Sequence, residues 1–242
     1  MIKYIKITLL CFAFNSICIA QNSLDVSKLK DLEIYLNEEI RNNKAAGIEA
    51  LIYHKGEIVW HEAYGYSSLQ DNLPLEKNSI YYIQSMTKPI MSVAIMQLIE
   101  KGKLRLDDNA SKYYPPLKKL EVIEDINTGI YGPTVDVKYP ITIRQLLTHT
   151  AGLSHGLEEN IFDQQLFKLM YNDLFDPAEY DILEERVEKL MQVPLIGQPG
   201  EQWYYSAAPD ILALILQKIT GQSINEYLRE NIFEPLLMFD TG

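Results

Sequence analysis

The spacing of hydrophobic residues changes along the chain, and its first two patterns predict a helix followed by a β-hairpin. Between residues 27 and 43 every third or fourth residue is apolar, which is typical of an amphipathic helix. Over residues 46–67 apolar residues tend to alternate with others, and Lys55-Gly56 interrupts the alternation as a turn. We therefore expect the two halves of this second segment to pair as antiparallel strands.

A third pattern is the apolar stretch from Pro89 to Ile99, which predicts a helix beginning near Ser85. Pro89 falls in the first turn, where its missing N–H costs nothing. Lys101-Gly102 then provides a cation and a glycine, which suit a helix C-terminus. The stretch is therefore expected to be one helix with Ser85 at its start.

The remaining patterns are mainly helical. Residues 118–140 contain several turn residues and predict mostly loop, with room for a small hairpin. Residues 158–180 are rich in aromatic residues, and we expect short helices that form a lid or wall. Residues 182–191 predict an amphipathic helix. Residues 211–219 are nearly all apolar and stop before Gly221, which predicts a buried helix.

The first twenty residues have the pattern of a secretory signal peptide. Lys3 and Lys6 precede an apolar run from Ile7 to Phe14, and Cys18-Ile19-Ala20 is a suitable cleavage site. The apolar run is too short to span a bilayer. We therefore expect Gln21 to be the mature N-terminus, and the mature protein to be secreted or periplasmic in a bacterium.

Composition narrows the classes of partner and chemistry. The net charge of the 242-residue chain is −11, or −13 without Lys3 and Lys6, which argues against nucleic acid or an anionic membrane as partners. Both cysteines lie in the predicted signal peptide, so the mature chain has no thiol for a disulfide, a nucleophile or a metal site. The four histidines lack metal-binding spacing, and we expect surface or loop residues at all four positions (His54, His61, His149, His155).

Ser85-Met86-Thr87-Lys88 carries the clearest catalytic pattern. Three residues are close to one helical turn, so the hydroxyl of Ser85 and the amine of Lys88 share one face of the predicted helix. A serine hydroxyl becomes an effective nucleophile when a neighbouring base takes its proton, and Lys88 can be that base if burial or nearby positive charge lowers its pKa. The helix N-terminus adds a positive potential where an oxyanion would form.

A second Ser-x-x-Lys pattern, at residues 27–30, provides a control within the sequence. It lies in a charged amphipathic segment with no apolar run behind it, and we interpret it as a solvated helix face. The four-residue pattern is therefore weak by itself, and a functional assignment for Ser85 needs support from other segments.

That support comes from segments that follow one another in a recognisable order. They are Ser85-x-x-Lys88, GKLRLDD at 102–108, ITIRQLLTHTAGL at 141–153, QPGEQWYYS at 198–206 and IFEPL at 232–236. Together they resemble the serine β-lactamase-related family, which includes class C β-lactamases, low-molecular-weight penicillin-binding proteins and family VIII carboxylesterases. The resemblance runs from about Gly47 to the last residue.

The resemblance implies roles for three residues. Ser85 would be the acylated nucleophile, Lys88 the base that helps to remove its proton, and Tyr205 the second basic group, which serves the leaving group and later activates water. A tyrosine with a pKa of about 10 can act in this way only if cations such as Lys88 stabilise its phenolate. Without the resemblance, Tyr205 would be interpreted as an aromatic residue packed beside Trp203 and Tyr204.

Two departures from the family pattern bear on the substrate and the length. Lactamases have Tyr-x-Asn as the second motif, whereas Ala207 holds the third position here, which resembles the esterase-like branch. Ala207 and Gln84 are the expected substrate-binding positions.

The third motif, a strand-borne Lys/His/Trp-x-Gly that supplies an oxyanion N–H, has no counterpart. We therefore expect the N-terminal part of a longer protein or the product of a truncated gene.

The resemblance implies an α/β (α+β) protein with the β-lactamase/transpeptidase-like fold. In that fold a helical domain packs on an antiparallel sheet, of which only the N-terminal hairpin is present. The expected divisions are the signal peptide (1–20), the N-terminal helix and hairpin (21–74), a mostly helical domain with both motifs (75–235) and the start of the missing sheet region (236–242).

The predicted function is that of a secreted serine hydrolase that forms an acyl-enzyme. Among such hydrolases we expect a carboxylesterase that acts on small esters. Two alternatives remain open. The first is a β-lactamase or D-alanyl-D-alanine carboxypeptidase, and the second is a catalytically silent binding or sensor protein on the same scaffold.

The expected partner is a small ester or amide. We expect no cofactor, metal, nucleic acid or membrane span, and the sequence does not fix the oligomeric state.

Overall fold

The computed structural model describes residues 25–171 and 183–242 of the chain. The predicted signal peptide with its cleavage site before Gln21 lies outside the described residues, as do positions 172–180 of the expected lid or wall. Contacts within the chain define two compact units, the first ending at Tyr81 and the second beginning at Tyr82.

The first unit combines one helix with a three-stranded antiparallel sheet. Helix α1 spans Leu29–Arg41, and the strands in spatial order are β1 (Gly47–His54), β2 (Glu57–Ser68) and β3 (Leu73–Pro74). Lys55 and Gly56 connect β1 to β2 with φ values of 51° and 90°, the left-handed conformations that a two-residue hairpin turn requires. The predicted hairpin is confirmed. Strand β3 is an addition that the sequence pattern does not predict, because two residues are too few to show alternation.

The second unit is mostly helical. Its elements are α2 (Thr87–Glu100), β4 (Glu121–Ile123), β5 (Thr134–Asp136), α3 (Ile143–Leu147), α4 (Ile161–Met170), α5 (Leu183–Leu190), α6 (Ala208–Thr220) and α7 (Ile224–Leu228). Strands β4 and β5 pair antiparallel, so the small hairpin for which the sequence leaves room within residues 118–140 is present. Across the two described stretches, no helix combines the length and apolar character needed to cross a membrane.

Helix α6 forms the centre of the core of the second unit. Its residues from Ile211 to Leu216 are all buried, and α2, α3 and α5 pack against it. Burying a leucine or isoleucine side chain stabilises the fold by about 1.5–3 kcal/mol, so this helix is a main source of stability. Gly221 ends it in the left-handed conformation at φ 73°, as the sequence predicts.

Helix α2 places Ser85 at the edge of this core. Ser85 lies in a 3-10 turn, Gln84–Met86, that leads directly into α2. The helix is anchored by one buried face that packs into the core of the second unit (Met91, Ala94, Ile95, Leu98). It ends before Lys101, and Gly102 follows at φ 67°, so the predicted termination is confirmed.

Candidate active site

The structure brings together the three residues to which the family resemblance assigns catalytic roles. The Nζ of Lys88 donates a hydrogen bond to the Oγ of Ser85 at 3.1 Å, one helical turn away. The phenol of Tyr205, which lies 120 positions beyond Ser85, donates to the same Oγ at 2.6 Å. Ser85 is exposed, whereas Lys88 and Tyr205 are half-buried. Two proton-carrying groups thus converge on one hydroxyl that a substrate can reach.

The surroundings of Tyr205 favour its ionised form. Burial is the largest single influence and raises the pKa of the phenol, but hydrogen bonds to Lys88 and Ser85, together with the charge of Lys88, outweigh it. The pKa of Tyr205 therefore lies below that of an ordinary tyrosine. The Nζ of Lys88 is 4.7 Å from the centre of the Tyr205 ring, so the cation that favours the phenolate is close to it.

Two loops run side by side and fix the position of Tyr205, the first at residues 148–154 and the second at residues 196–204. The backbone N–H of Tyr204 donates to the carbonyl of His149 at 2.8 Å, and the N–H of Gly200 donates to the carbonyl of Thr150 at 2.7 Å. The N–H of Ile196 likewise donates to the carbonyl of Gly152 at 2.8 Å. The motif at 141–153 therefore acts as a backbone template for the segment that carries the tyrosine.

Gly152 shows why this template needs a glycine. Its φ is 80°, and an added Cβ would lie only 2.0 Å from the carbonyl oxygen of Gly197 in the second loop. Any side chain would therefore push the two loops apart in addition to straining the backbone.

A buried carboxylate holds the end of the first loop. The hydroxyl of Ser154 donates to the fully buried Asp163, and the amide of Asn160 donates to the other oxygen of that carboxylate at 2.5 Å. Asn160 also caps α4 by accepting from the backbone N–H of Asp163 at 2.8 Å. The loop is therefore tied to the first turn of α4, where the helix dipole favours a negative charge.

Two histidines beside Tyr205 were not identified from the sequence. His149 and His155 lie in the loop, as expected, but their rings pack against the ring of Tyr205 at centroid distances of 5.2 and 5.3 Å. The Nδ1 of His149 is 2.9 Å from the hydroxyl of Ser206, which is buried. Burial, followed by the charge of Lys88, lowers the pKa of each histidine, so both are neutral near pH 7. Their spacing within a loop shows no periodicity, so only the motif around His149 could have drawn attention to them.

The two expected substrate-binding positions lie in different environments. Gln84 is exposed beside Ser85 and adopts a left-handed backbone conformation at φ 50°, which is strained for a residue other than glycine. Ala207 is only 6% exposed and belongs to a buried cluster with Phe162 and Leu166. A role of either residue in binding substrate stays a prediction.

The second Ser-x-x-Lys pattern forms no comparable site. The hydroxyl of Ser27 donates to the carboxylate of Asp25 at 2.5 Å, and both Ser27 and Lys30 are exposed. This placement agrees with the solvated helix face that the sequence indicates. Within residues 25–171 and 183–242, no three or more His, Cys, Asp or Glu side chains are grouped closely enough to hold a metal ion.

Comparisons with known proteins agree with this fold. The chain is 29% identical over 225 residues to Esterase EstB of Burkholderia gladioli, covering 91% of this chain and 53% of that protein. The structure of EstCE1, a hydrolase with promiscuous acyltransferase activity, matches with a TM-score of 0.75 and 27% identity over 88% of this chain and 52% of that one. An octameric penicillin-binding protein homologue from Pyrococcus abyssi matches with a TM-score of 0.64 and 27% identity over 89% and 44%.

These similarities confirm the predicted fold class of mixed helices and antiparallel sheet. The chain spans about half the length of the curated relatives it matches. The sequence model of the Beta-lactamase family matches residues 34–242, which is most of the chain. On this match the chain belongs to the Beta-lactamase family.

Proposed function

We propose that the chain carries the nucleophile and the proton-transferring groups of a serine hydrolase that forms an acyl-enzyme. The observation that supports this proposal most strongly is the convergence of Lys88 Nζ and Tyr205 OH on Ser85 Oγ, at 3.1 and 2.6 Å. Both distances fall within the range required for a nucleophile and its base.

The reaction proceeds in two halves. The phenolate of Tyr205, stabilised by Lys88, takes the proton of Ser85 as its Oγ attacks the ester carbonyl carbon. The tetrahedral intermediate collapses by breaking the bond to the alcohol oxygen, which takes the proton from Tyr205, and an ester of Ser85 remains. In the second half, water gives a proton to Tyr205 and attacks this ester, and the acid leaves as Ser85 Oγ recovers its proton.

A small ester with an apolar acyl group is the proposed substrate. Met86 and Trp203 are exposed, Met86 next to the nucleophile and Trp203 with its ring 6.2 Å from that of Tyr205. Ala207 offers no amide to a peptide-like substrate, and relatives include the esterase EstB and the hydrolase EstCE1.

We also propose export to the periplasm or medium, on the pattern of residues 1–20 alone.

The second candidate is hydrolysis of a β-lactam or of a D-alanyl-D-alanine peptide. It is favoured by the similarity to a penicillin-binding protein homologue. That match covers 89% of this chain, and the match to the hydrolase EstCE1 covers 88%. Both candidates use the same acyl-enzyme and the same catalytic residues. A comparison of substrates can therefore distinguish them, whereas substitution of the catalytic residues cannot.

The test compares turnover of p-nitrophenyl butyrate with turnover of nitrocefin by the purified chain. We expect faster turnover of the butyrate ester and its loss in Ser85→Ala. Ser27→Ala, which removes the serine of the second Ser-x-x-Lys pattern, is the matched control and should retain full activity. Faster nitrocefin turnover would favour the second candidate. A chain that shows neither a burst nor turnover with either substrate would contradict both and indicate a silent binding protein.

A further inference from the structure

Three aromatic rings form a nearly parallel stack that leads away from the nucleophile. The ring of His155 lies 5.3 Å from that of Tyr205 with an angle of 7° between their planes. The ring of Tyr171 lies 6.1 Å from that of His155 at 5°. Such offset, parallel arrangements are favourable for aromatic rings. By contrast, His149 and Trp203 meet Tyr205 at tilts of 34° and 35°.

The far end of this stack is tied back to the segment that carries Tyr205. Arg186 of α5 donates from Nη2 to the hydroxyl of Tyr171 at 2.8 Å, and its guanidinium carbon lies 5.0 Å from the centre of that ring. The Nε of Arg186 donates to the carboxylate of Asp210 at 2.8 Å. Asp210 lies in the first turn of α6, five residues after Tyr205, so the contacts close a ring of interactions.

His155 is itself held in place on the other side. The hydroxyl of Ser154 accepts a hydrogen bond from the backbone N–H of Gly156 at 3.1 Å and donates to Asp163, so the backbone on both sides of His155 is fixed. The charges of Lys88 and Arg186 lower the pKa of His155, whereas the carboxylate of Asp210 raises it. Burial and the charge of Lys88 lower the pKa of His155, so it meets Tyr205 as a neutral, flat ring.

We propose that His155 is a positioning residue for Tyr205, which it holds through ring stacking so that the phenol oxygen stays on Ser85. This inference rests on the proposed function, because it concerns the base of the same reaction. The role needs the flat ring of His155 and does not need its nitrogens.

The test measures how fast a fluorophosphonate probe labels the chain across a range of pH. His155→Ala removes the ring and lets the phenol move away from Lys88 and Ser85, the contacts that lower its pKa. Labelling should become about 10- to 100-fold slower, because a displacement of about 1 Å has effects of this size. The pH at which labelling rises should also move upward, toward the ordinary value for tyrosine of about 10. His155→Phe keeps a flat ring and should restore both the rate and the pH profile.

The control is Tyr114→Leu, which removes a buried ring that has Lys218 5.8 Å from its centre and lies outside the stack. It should lower the unfolding temperature and leave the pH profile of labelling unchanged. If His155→Ala does not fold, Tyr171→Leu removes the outer ring and should shift the profile in the same direction.

Three results would overturn the inference. A wild-type pH profile in the folded His155→Ala or Tyr171→Leu variant would show that the stack does not position Tyr205. Labelling of His155→Phe as slow as that of His155→Ala would show that a ring nitrogen is required. Absence of labelling in the wild-type chain would instead contradict the proposed function, and the inference with it.

Discussion

At the scale of single residues, the site depends on how two half-buried groups act on one exposed hydroxyl. Lys88 and Tyr205 both reach Ser85 Oγ, and Lys88 also favours the ionised form of Tyr205. An uncharged tyrosine would be a poor base near neutral pH, so the cation and the phenol are expected to function as a pair.

Tyr205→Phe tests the phenol oxygen directly. The substitution keeps the ring and its stacking on His155 but removes the atom that meets Ser85. We expect kcat/KM for p-nitrophenyl butyrate to fall about 100- to 10,000-fold, the usual contribution of a positioned proton-transfer group. A loss of only a few-fold, in a variant with unchanged thermal unfolding, would assign the base to another residue.

Lys88→Met tests the effect of the cation on the pH profile. In the proposed mechanism the phenolate is the active form of Tyr205, so the rate of acylation should rise with pH through the pKa of this phenol. Hydrogen bonding to Lys88 and the lysine charge lower that pKa, so removing the amine should move the rise to higher pH, in addition to any loss of rate. An unchanged position of the rise, measured by stopped-flow burst kinetics, would contradict the assignment of Tyr205 as the titrating base.

The sequence predicts part of this constellation and not the rest. Ser85 and Lys88 are one helical turn apart, so local geometry alone places them together. Tyr205 was assigned only through the family resemblance, because no local rule connects residues 120 positions apart. His149 and His155 were expected to be ordinary loop residues, since stacking between rings depends on how two loops pack and leaves no periodic pattern.

At the scale of secondary-structure elements, the loop that carries His149 and Ser154 depends on its connection to α4. Ser154 is buried, and its hydroxyl meets the fully buried carboxylate of Asp163. Breaking this contact leaves a buried charge with fewer hydrogen bonds. The effect should therefore appear in the stability of the protein as well as in the placement of the loop.

Ser154→Ala is expected to lower the free energy of unfolding by about 1–3 kcal/mol, because it removes a donor to a buried carboxylate. Ser92→Ala is the matched control, since the hydroxyl of Ser92 donates to an uncharged backbone carbonyl, that of Lys88 within α2. Urea unfolding followed by circular dichroism gives both values. Equal values for the two variants would contradict the anchoring role of Asp163.

Elements with strong periodicity were predicted well, and those set by tertiary contacts were not. Helix α6 follows from an almost unbroken apolar run, and the β1–β2 hairpin follows from alternation around Lys55-Gly56. The short strand β3 forms because it pairs with β2. Two residues are too few to give a sequence pattern that predicts this contact. The alignment of the loops at Gly152 and Gly197 is likewise visible only after folding.

At the scale of the whole molecule, all three catalytic candidates belong to one compact unit. Ser85, Lys88 and Tyr205 lie within the unit that begins at Tyr82, and its core around α6 sets their separation. The arrangement of these groups therefore follows from the packing of that unit. The chain spans about half the length of its curated relatives, which makes the chemistry of the isolated chain the central question.

The most direct measurement is to locate the adduct of a fluorophosphonate probe by mass spectrometry of peptides from the labelled chain. We predict one adduct on the peptide that contains Ser85, and its absence in Ser85→Ala. Ser27→Ala should be labelled as fast as the wild type, because its hydroxyl has no lysine or tyrosine partner among the hydrogen bonds that the structure shows for it. An adduct on another residue, or labelling that Ser85→Ala leaves unchanged, would contradict the account.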